Sequence, residues 1–514
     1  MATLFVIHAE ADSSSAEITE SGRCGPDAYY AIYSDGTLKI DGCGEMYHYN
    51  GLERAPWYVH RDVINNIVID DDITQLGAWA FVGLTHVTEL TIPITLDTVV
   101  CADNSAFAGC YNIETVYLTC GNGGYGFDYA ASYGYNCWYQ LTPWYQSRDN
   151  IKEIVFEDGI THIGMNAFRE LNITSLVIPD SVTSIGGYCF YDCRELTDLT
   201  VPMSLGTIGD ENFPAFWGCT AVENVKITRG NGTAFNYEFG SKSAYAPWNI
   251  NHNVVKNIVI ADDVVSMGLA MFENTSIGEL TAPISAEIQA SGAFLSAPFG
   301  GYPALEKVTI TKGTGIGAHC FLLFPYGPWY NAPNLKILII EEGVTYIDDY
   351  TFDGCCAEKI VLPSSLKTVD GSVFCKCKVK DLTIPVTLDL VADPDFPAFD
   401  GCEIERLTIT AGTDGIGIDY HNGAPVWCTA DWRISEIVIE EGVKHIGAHT
   451  FEGYTFVGAD GEPLEPTAEN LSGHTFTGTD GEMHIVEETQ EIPADPVCTD
   501  LTSVVKTDTV ECCC

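Results

Sequence analysis

The stretch VTSIGGYCFYDCRELTDLTVP, Val182 to Pro202, states a phrase that the rest of the chain repeats with variation. Its core is a small apolar residue five positions before a phenylalanine. That pair recurs at Leu76/Phe81, Ile163/Phe168, Ile185/Phe190, Met267/Phe272, Ile347/Phe352, Val369/Phe374 and Ile446/Phe451. A unit of roughly 20–29 residues with one short apolar strand is the signature of a leucine-rich-repeat solenoid, whose coils bury their apolar faces only against each other. The fold class expected is a mainly β repeat protein: a solenoid with one short β-strand per coil and β-hairpin caps at both ends.

The strands end on proline at Pro93, Pro179, Pro202, Pro363 and Pro385. Proline lacks the N–H a ladder needs, so it closes the strand and turns the chain away. A longer period groups the coils into about five modules, each marked by a Pro-Trp phrase at Trp57, Trp144, Trp248, Trp329 or, with one residue inserted, Trp427. An apolar strand with an acidic turn follows each one, as in Asp70-Asp71-Asp72, Glu157-Asp158, Asp262-Asp263, Glu341-Glu342 and Glu440-Glu441.

Outside the array, Ala28–Tyr33 and Thr37–Asp41 alternate around Ser34-Asp35-Gly36 and predict a hairpin. Two Asp-Gly turns, near Gly458 and Gly478, predict hairpins at the other end. The organisation expected is a leader or disordered lead-in over 1–20, a hairpin cap over 21–56, the solenoid over 57–454, a β cap over 455–486 and a disordered tail over 487–514. Ala9-Glu10-Ala11 after a short apolar run resembles the back half of a secretory signal, without its basic start.

Lys and Arg number 24 against 71 Asp and Glu, a net charge of −47. Such a surface repels phosphate backbones and anionic membranes, so no nucleic-acid partner is expected. No apolar run approaches the roughly 18–20 residues that span a bilayer, so no transmembrane segment is expected. The acidic turns recur several coils apart and read as a solvated face, because one pair offers too few fixed oxygens for tight calcium binding. No metal or cofactor is expected: His445 and His449 stand four apart without a zinc motif, and His162 fills the slot of His445 in another coil.

Of 20 cysteines, Cys110, Cys193, Cys219, Cys355, Cys377 and Cys402 each lie three residues after a repeat phenylalanine. The coil tucks a small side chain inward there, which predicts buried, inert thiols. Cys24 and Cys43 flank the first hairpin and are the candidate disulfide in an oxidising compartment.

The pattern I-G-x-x-x-F-x-x-C-x-x-L-x-x-L-x-x-P at Ile185 to Pro202 resembles the BspA-type leucine-rich repeat, over about residues 60 to 452. The resemblance implies a surface-displayed binding scaffold, often an adhesin, with no particular partner. No catalytic motif is present, and no enzyme is expected. The best binding candidate is the Gly-Tyr insertion with Tyr125, Tyr129, Tyr133, Tyr135, Trp138, Tyr139 and Trp144, since Tyr and Trp give large contact area at low entropy cost. The function expected is a secreted or cell-surface adhesion protein that binds an extracellular protein or glycan through the solenoid sheet or the aromatic loop edge. A structural spacer without a ligand is the first alternative and a secreted hydrolase the second.

Overall fold

The computed structural model describes residues 16–486, apart from 97–104, 130–141, 206, 210–212, 231–253, 265, 269–275, 285–286, 290–303, 314–333, 349–350, 353–356, 372, 375–376, 378, 391–397, 400–401, 421–433 and 480. The tail over 487–514 and most of the expected leader therefore lie outside the described residues.

Each strand is one-sided because its apolar residues alternate. In Asp198–Pro202 the side chains of Leu199 and Val201 are buried, while Asp198 is exposed. The strands pair in parallel and in one register, so Leu176, Leu199, Val225, Ile258, Leu280, Val308, Leu338, Ile360, Leu382, Leu407 and Ile437 form one aliphatic column. Burying one such side chain contributes about 1.5–3 kcal/mol, and part of that burial comes from the neighbouring coils. The ladder breaks once, between Glu153–Phe156 and Ser175–Val177, dividing the sheet in two. The protein is thus a leucine-rich-repeat β-solenoid, almost all strand.

Shorter strands line a second side of the coil, as in His162–Ile163, Ser184–Ile185 and Thr207–Ile208. The glycine after each of these strands is demanded by close approach. A Cβ on Gly77, Gly164 or Gly447 would lie 1.8 Å from the carbonyl oxygen of Tyr47, Phe127 or Ile418 in the preceding coil.

The third side is a turn whose interior is a stack of rings. Phe168, Phe190 and Phe216 stack at centroid distances of 5.6 and 5.1 Å, and Phe352, Phe374 and Phe399 at 5.4 and 4.8 Å. The repeat cysteines are buried beside them. The thiols of Cys110, Cys193, Cys219, Cys377 and Cys402 donate to the carbonyl oxygens of Phe81, Phe168, Phe190, Phe352 and Phe374, one coil back, at 2.9–3.3 Å. Burial pushes the Cys110 thiol up to about 12. Two residues after the ring the backbone is left-handed, and Gly83, Gly109, Gly218 and Gly453 occupy that position. Cys355 lies outside the described residues.

At the N-terminal end, β1 (Ile18–Arg23), β2 (Asp27–Tyr33) and β3 (Thr37–Glu45) form an antiparallel meander, and β3 then pairs in parallel with Asn66–Ile69. β1 begins inside the segment expected as lead-in. Its sequence, ITESGR, has no apolar alternation, and pairing with β2 makes it a strand. At the other end Thr455–Val457 and Pro463–Leu464 form one hairpin and His474–Thr479 and Glu482–Ile485 the second, as the Asp-Gly turns predict. Phe476 pairs opposite Ile437 and is fully buried, so it continues the aliphatic column with reversed strand direction.

The expected bridge between Cys24 and Cys43 is not formed. Cys24 is a free thiol at 0% exposure in the core, whereas Cys43 is a free thiol on the exposed side of β3. The hairpin pairs Cys43 with Asp27, not with Cys24.

Candidate binding surface

The two described Pro-Trp phrases do not present tryptophan to solvent. Trp57 and Trp144 are 0% and 4% exposed and enter the ring stack ahead of Phe81 and Phe168, at centroid distances of 5.8 and 4.9 Å. Within a module the backbone N–H of one ladder phenylalanine donates to the residue before the next, as from Phe168 to Cys189 and from Phe190 to Ala215. At the two described module starts the indole N–H takes over that task. Trp57 Nε1 donates to the Ala80 carbonyl at 2.9 Å and Trp144 Nε1 to the Ala167 carbonyl at 2.8 Å. Tryptophan is therefore a ring of the ladder that also supplies the missing donor. The other three Pro-Trp phrases lie outside the described residues.

The insertion that carries the candidate tyrosines rises from a stalk with a repeated design. Gly121-Asn122-Gly123-Gly124-Tyr125-Gly126-Phe127-Asp128-Tyr129 has a counterpart in Gly412-Thr413-Asp414-Gly415-Ile416-Gly417-Ile418-Asp419-Tyr420. Gly126 N donates to the His162 carbonyl and Gly417 N to the His445 carbonyl, both at 2.9 Å. Tyr129 N donates to the Met165 carbonyl and Tyr420 N to the Ala448 carbonyl, both at 3.1 Å. Asp128 accepts from the Met165 backbone N–H and Asp419 from that of Ala448, both at 2.7 Å. Tyr129 and Tyr420 are 6% and 8% exposed, so the second tyrosine anchors each stalk in the core.

The outward residue of the stalk is Tyr125, 60% exposed, and its equivalent Ile416, 54% exposed. The Tyr125 ring stacks on His162 at a centroid distance of 4.3 Å. His162 is itself buried, with Nδ1 2.6 Å from Ser184 Oγ and Nε2 3.3 Å from Asp128 Oδ1. The hydrogen bond from His162 holds the Asp128 carboxyl below the usual carboxylate range. This Ser-His-Asp order resembles an acyl-transfer relay, but here the histidine is covered by Tyr125 and the aspartate caps a turn as Asp419 does. The trio positions the stalk.

Of the seven candidate residues, the structure leaves Tyr125 at the surface and buries Tyr129 and Trp144. Tyr133, Tyr135, Trp138 and Tyr139 lie outside the described residues. His445 and His449 work separately: the first lies 3.2 Å from the Gly417 carbonyl, the second 3.2 Å from Glu452.

The main sheet shows a feature that sequence reading missed. In consecutive coils one lateral column reads Glu306, Lys336, Glu358, Lys380 and Glu405; the N–H groups of Lys336, Lys380 and Glu405 donate to the carbonyls of Glu306, Glu358 and Lys380, and the Lys336 carbonyl accepts from Lys359. Side chains in and beside this column pair across coils, as in Lys336–Glu306 at 2.8 Å, Lys256–Glu223 at 2.6 Å and Lys152–Glu114 at 2.8 Å. The acidic turns are also bonded to the array: Thr119, Thr228 and Thr311 donate to Asp71, Asp180 and Asp262, each across an intervening coil.

The family model for the BspA-type leucine-rich repeat region matches residues 58–128, 144–254 and 325–455, in six copies. The chain belongs to this family. Similar solved structures include leucine-rich repeat proteins from Eubacterium ventriosum, at 17% identity over 74% of this chain and 95% of that one, TM-score 0.25, and from Bacteroides ovatus, at 17% over 75% and 94%, TM-score 0.24. The pneumococcal vaccine antigen PcpA matches at 13% identity over 77% and 94%, TM-score 0.21. No curated protein matches the sequence. Among the described residues no helix is long and apolar enough to cross a membrane.

Proposed function

We propose that this BspA-type array is an extracellular or cell-surface adhesion protein that binds a protein or glycan through its aromatic loop edge. Tyr125 carries the reading: a large amphipathic ring, 60% exposed, held on a stalk whose backbone is bonded to the next coil. A ring fixed in advance loses little conformational entropy on binding, which favours affinity. The family membership supports a binding scaffold in preference to a hydrolase. The test is binding of the purified chain to an array of matrix proteins, mucins and glycans, repeated with Tyr125→Ala. Loss of a specific hit supports the loop edge. A hit that survives moves the site to the sheet, and the absence of any hit favours the spacer reading.

A further inference from the structure

Among the described residues, the one after a ladder ring is partly or fully exposed on the turn side of the coil. In the N-terminal half these residues include Tyr58, Tyr145, Arg169, Tyr191 and Trp217. Backbone bonds from Glu170 to Tyr191, at 2.8 Å, and from Asp192 to Trp217, at 2.7 Å, align the last three in adjacent coils. Each tyrosine in this column is covered by an arginine of the same chain. Arg54 and Arg61 each stand 4.9 Å from the Tyr58 ring centroid, Arg148 stands 4.5 Å from Tyr145 and Arg169 stands 4.4 Å from Tyr191.

Trp217 is the exception. It is 53% exposed, and among the described residues no arginine or lysine lies over its ring. Indole is the aromatic side chain that attracts a cation most strongly. Asp192 lies against the same turn from the preceding coil: its backbone N–H donates to the Trp217 carbonyl, and its Oδ1 is 2.8 Å from where a Cβ on Gly218 would be. Asp192 sits at φ +63°, a position that Gly83, Gly109, Gly218 and Gly453 fill in other coils and Glu170 in the preceding one, so the chain accepts a conformational cost to place an acid there. It holds Arg194 by two hydrogen bonds of 2.8 Å, and a carboxylate keeps further lone pairs for a second donor. The net charge of −47 draws cations towards the chain and repels anionic sugars.

We infer that Trp217 and Asp192 form a docking point for an arginine or lysine side chain of a basic polypeptide partner, a site separate from the Tyr125 stalk. The partner's cation completes the aromatic column as Arg169 does one coil earlier. A neutral sugar could stack on the indole but would leave the carboxylate and the field unused.

The experiment titrates the full chain with a synthetic Arg-Gly repeat peptide, its citrulline counterpart and a neutral cello-oligosaccharide, following tryptophan fluorescence and calorimetry. The expected result is binding of the arginine peptide, weakened about 5-fold by Trp217→Ala, less by Trp217→Phe, and weakened also by Asp192→Asn. Leu52→Ala, 97% exposed near the N-terminal end, is the control expected to change nothing. Trp217 is exposed, so its truncation leaves no buried cavity, and an unchanged melting curve verifies this. Equal binding of the arginine peptide by wild type and Trp217→Ala shows attraction to the acidic surface at large and overturns the site. Binding of the oligosaccharide that Trp217→Ala abolishes overturns the choice of partner, and so does equal binding of the citrulline peptide. Failure of all probes overturns the proposal.

Discussion

At the residue scale the repeat is governed by what each position allows. Gly83 has φ +71°, and a Cβ there would meet only the Tyr58 ring, at 3.7 Å. Gly83→Ala is therefore a nearly pure backbone test, expected to cost about 1 kcal/mol in urea denaturation. Gly77→Ala should cost clearly more, because its Cβ would collide with the Tyr47 carbonyl. The thiols divide in the same way. Cys43 is exposed, whereas Cys110, Cys189, Cys193 and Cys219 are buried and burial raises the thiols of Cys110 and Cys189. Titration with a thiol reagent should label Cys43 in the folded protein and the buried four only on unfolding. The inward cysteines were legible in the sequence from their fixed distance to phenylalanine. The fate of Cys24 and Cys43 was not, because flanking a hairpin does not say which face each side chain takes.

At the element scale, coils adhere through rings and capped turns. Phe190→Ala removes a ring packed between Phe168 and Phe216 and should cost about 3–5 kcal/mol. Trp144→Phe keeps a ring in the stack but strands the buried Ala167 carbonyl, which should cost about 1–3 kcal/mol. The pair separates packing from hydrogen bonding at a module junction. An acidic turn gives a pH test. Burial opposes ionisation of Glu342, but hydrogen bonds from Ser364 and Ser365 outweigh it and hold the carboxyl below its ordinary value. Its stabilisation is thus present above the unfolded carboxylate range and lost as pH falls through the lower folded value. Glu342→Gln should flatten the acid limb of the stability curve relative to wild type, measured by melting temperature against pH. The acidic turns were visible in the sequence as a solvated face, but their hydrogen bonds span two coils and appear only once the register is set.

At the scale of the whole molecule, 71 acidic and 24 basic residues make self-repulsion a general burden on the folded array. Raising salt from about 0.01 to 0.15 M shortens the screening length from about 30 to 8 Å, and the melting temperature should rise. The cross-coil Lys–Glu pairs weaken in the same salt, but exposed pairs are each worth at most about 1 kcal/mol, so repulsion decides the sign. A fall in melting temperature would show that these pairs matter more than their exposure suggests.

Sequence alone determined that this chain is a solenoid, where its rings and inward thiols lie, and that its surface is acidic, because those features recur at fixed local spacing. Tertiary structure decided the rest. The Glu–Lys column runs through Glu306, Lys336, Glu358, Lys380 and Glu405, whose separations vary with coil length, so no sequence period exposes it. Trp144 stands among the binding candidates until its indole is found in the ring stack, and β1 reads as a lead-in until β2 pairs with it. Tyr125 and Tyr129 are four residues apart in one glycine-rich segment, yet one is exposed and the other buried, because contacts from the following coil orient them. Local chemistry specifies the repeat unit, whereas the outward surface depends on which coils lie next to each other.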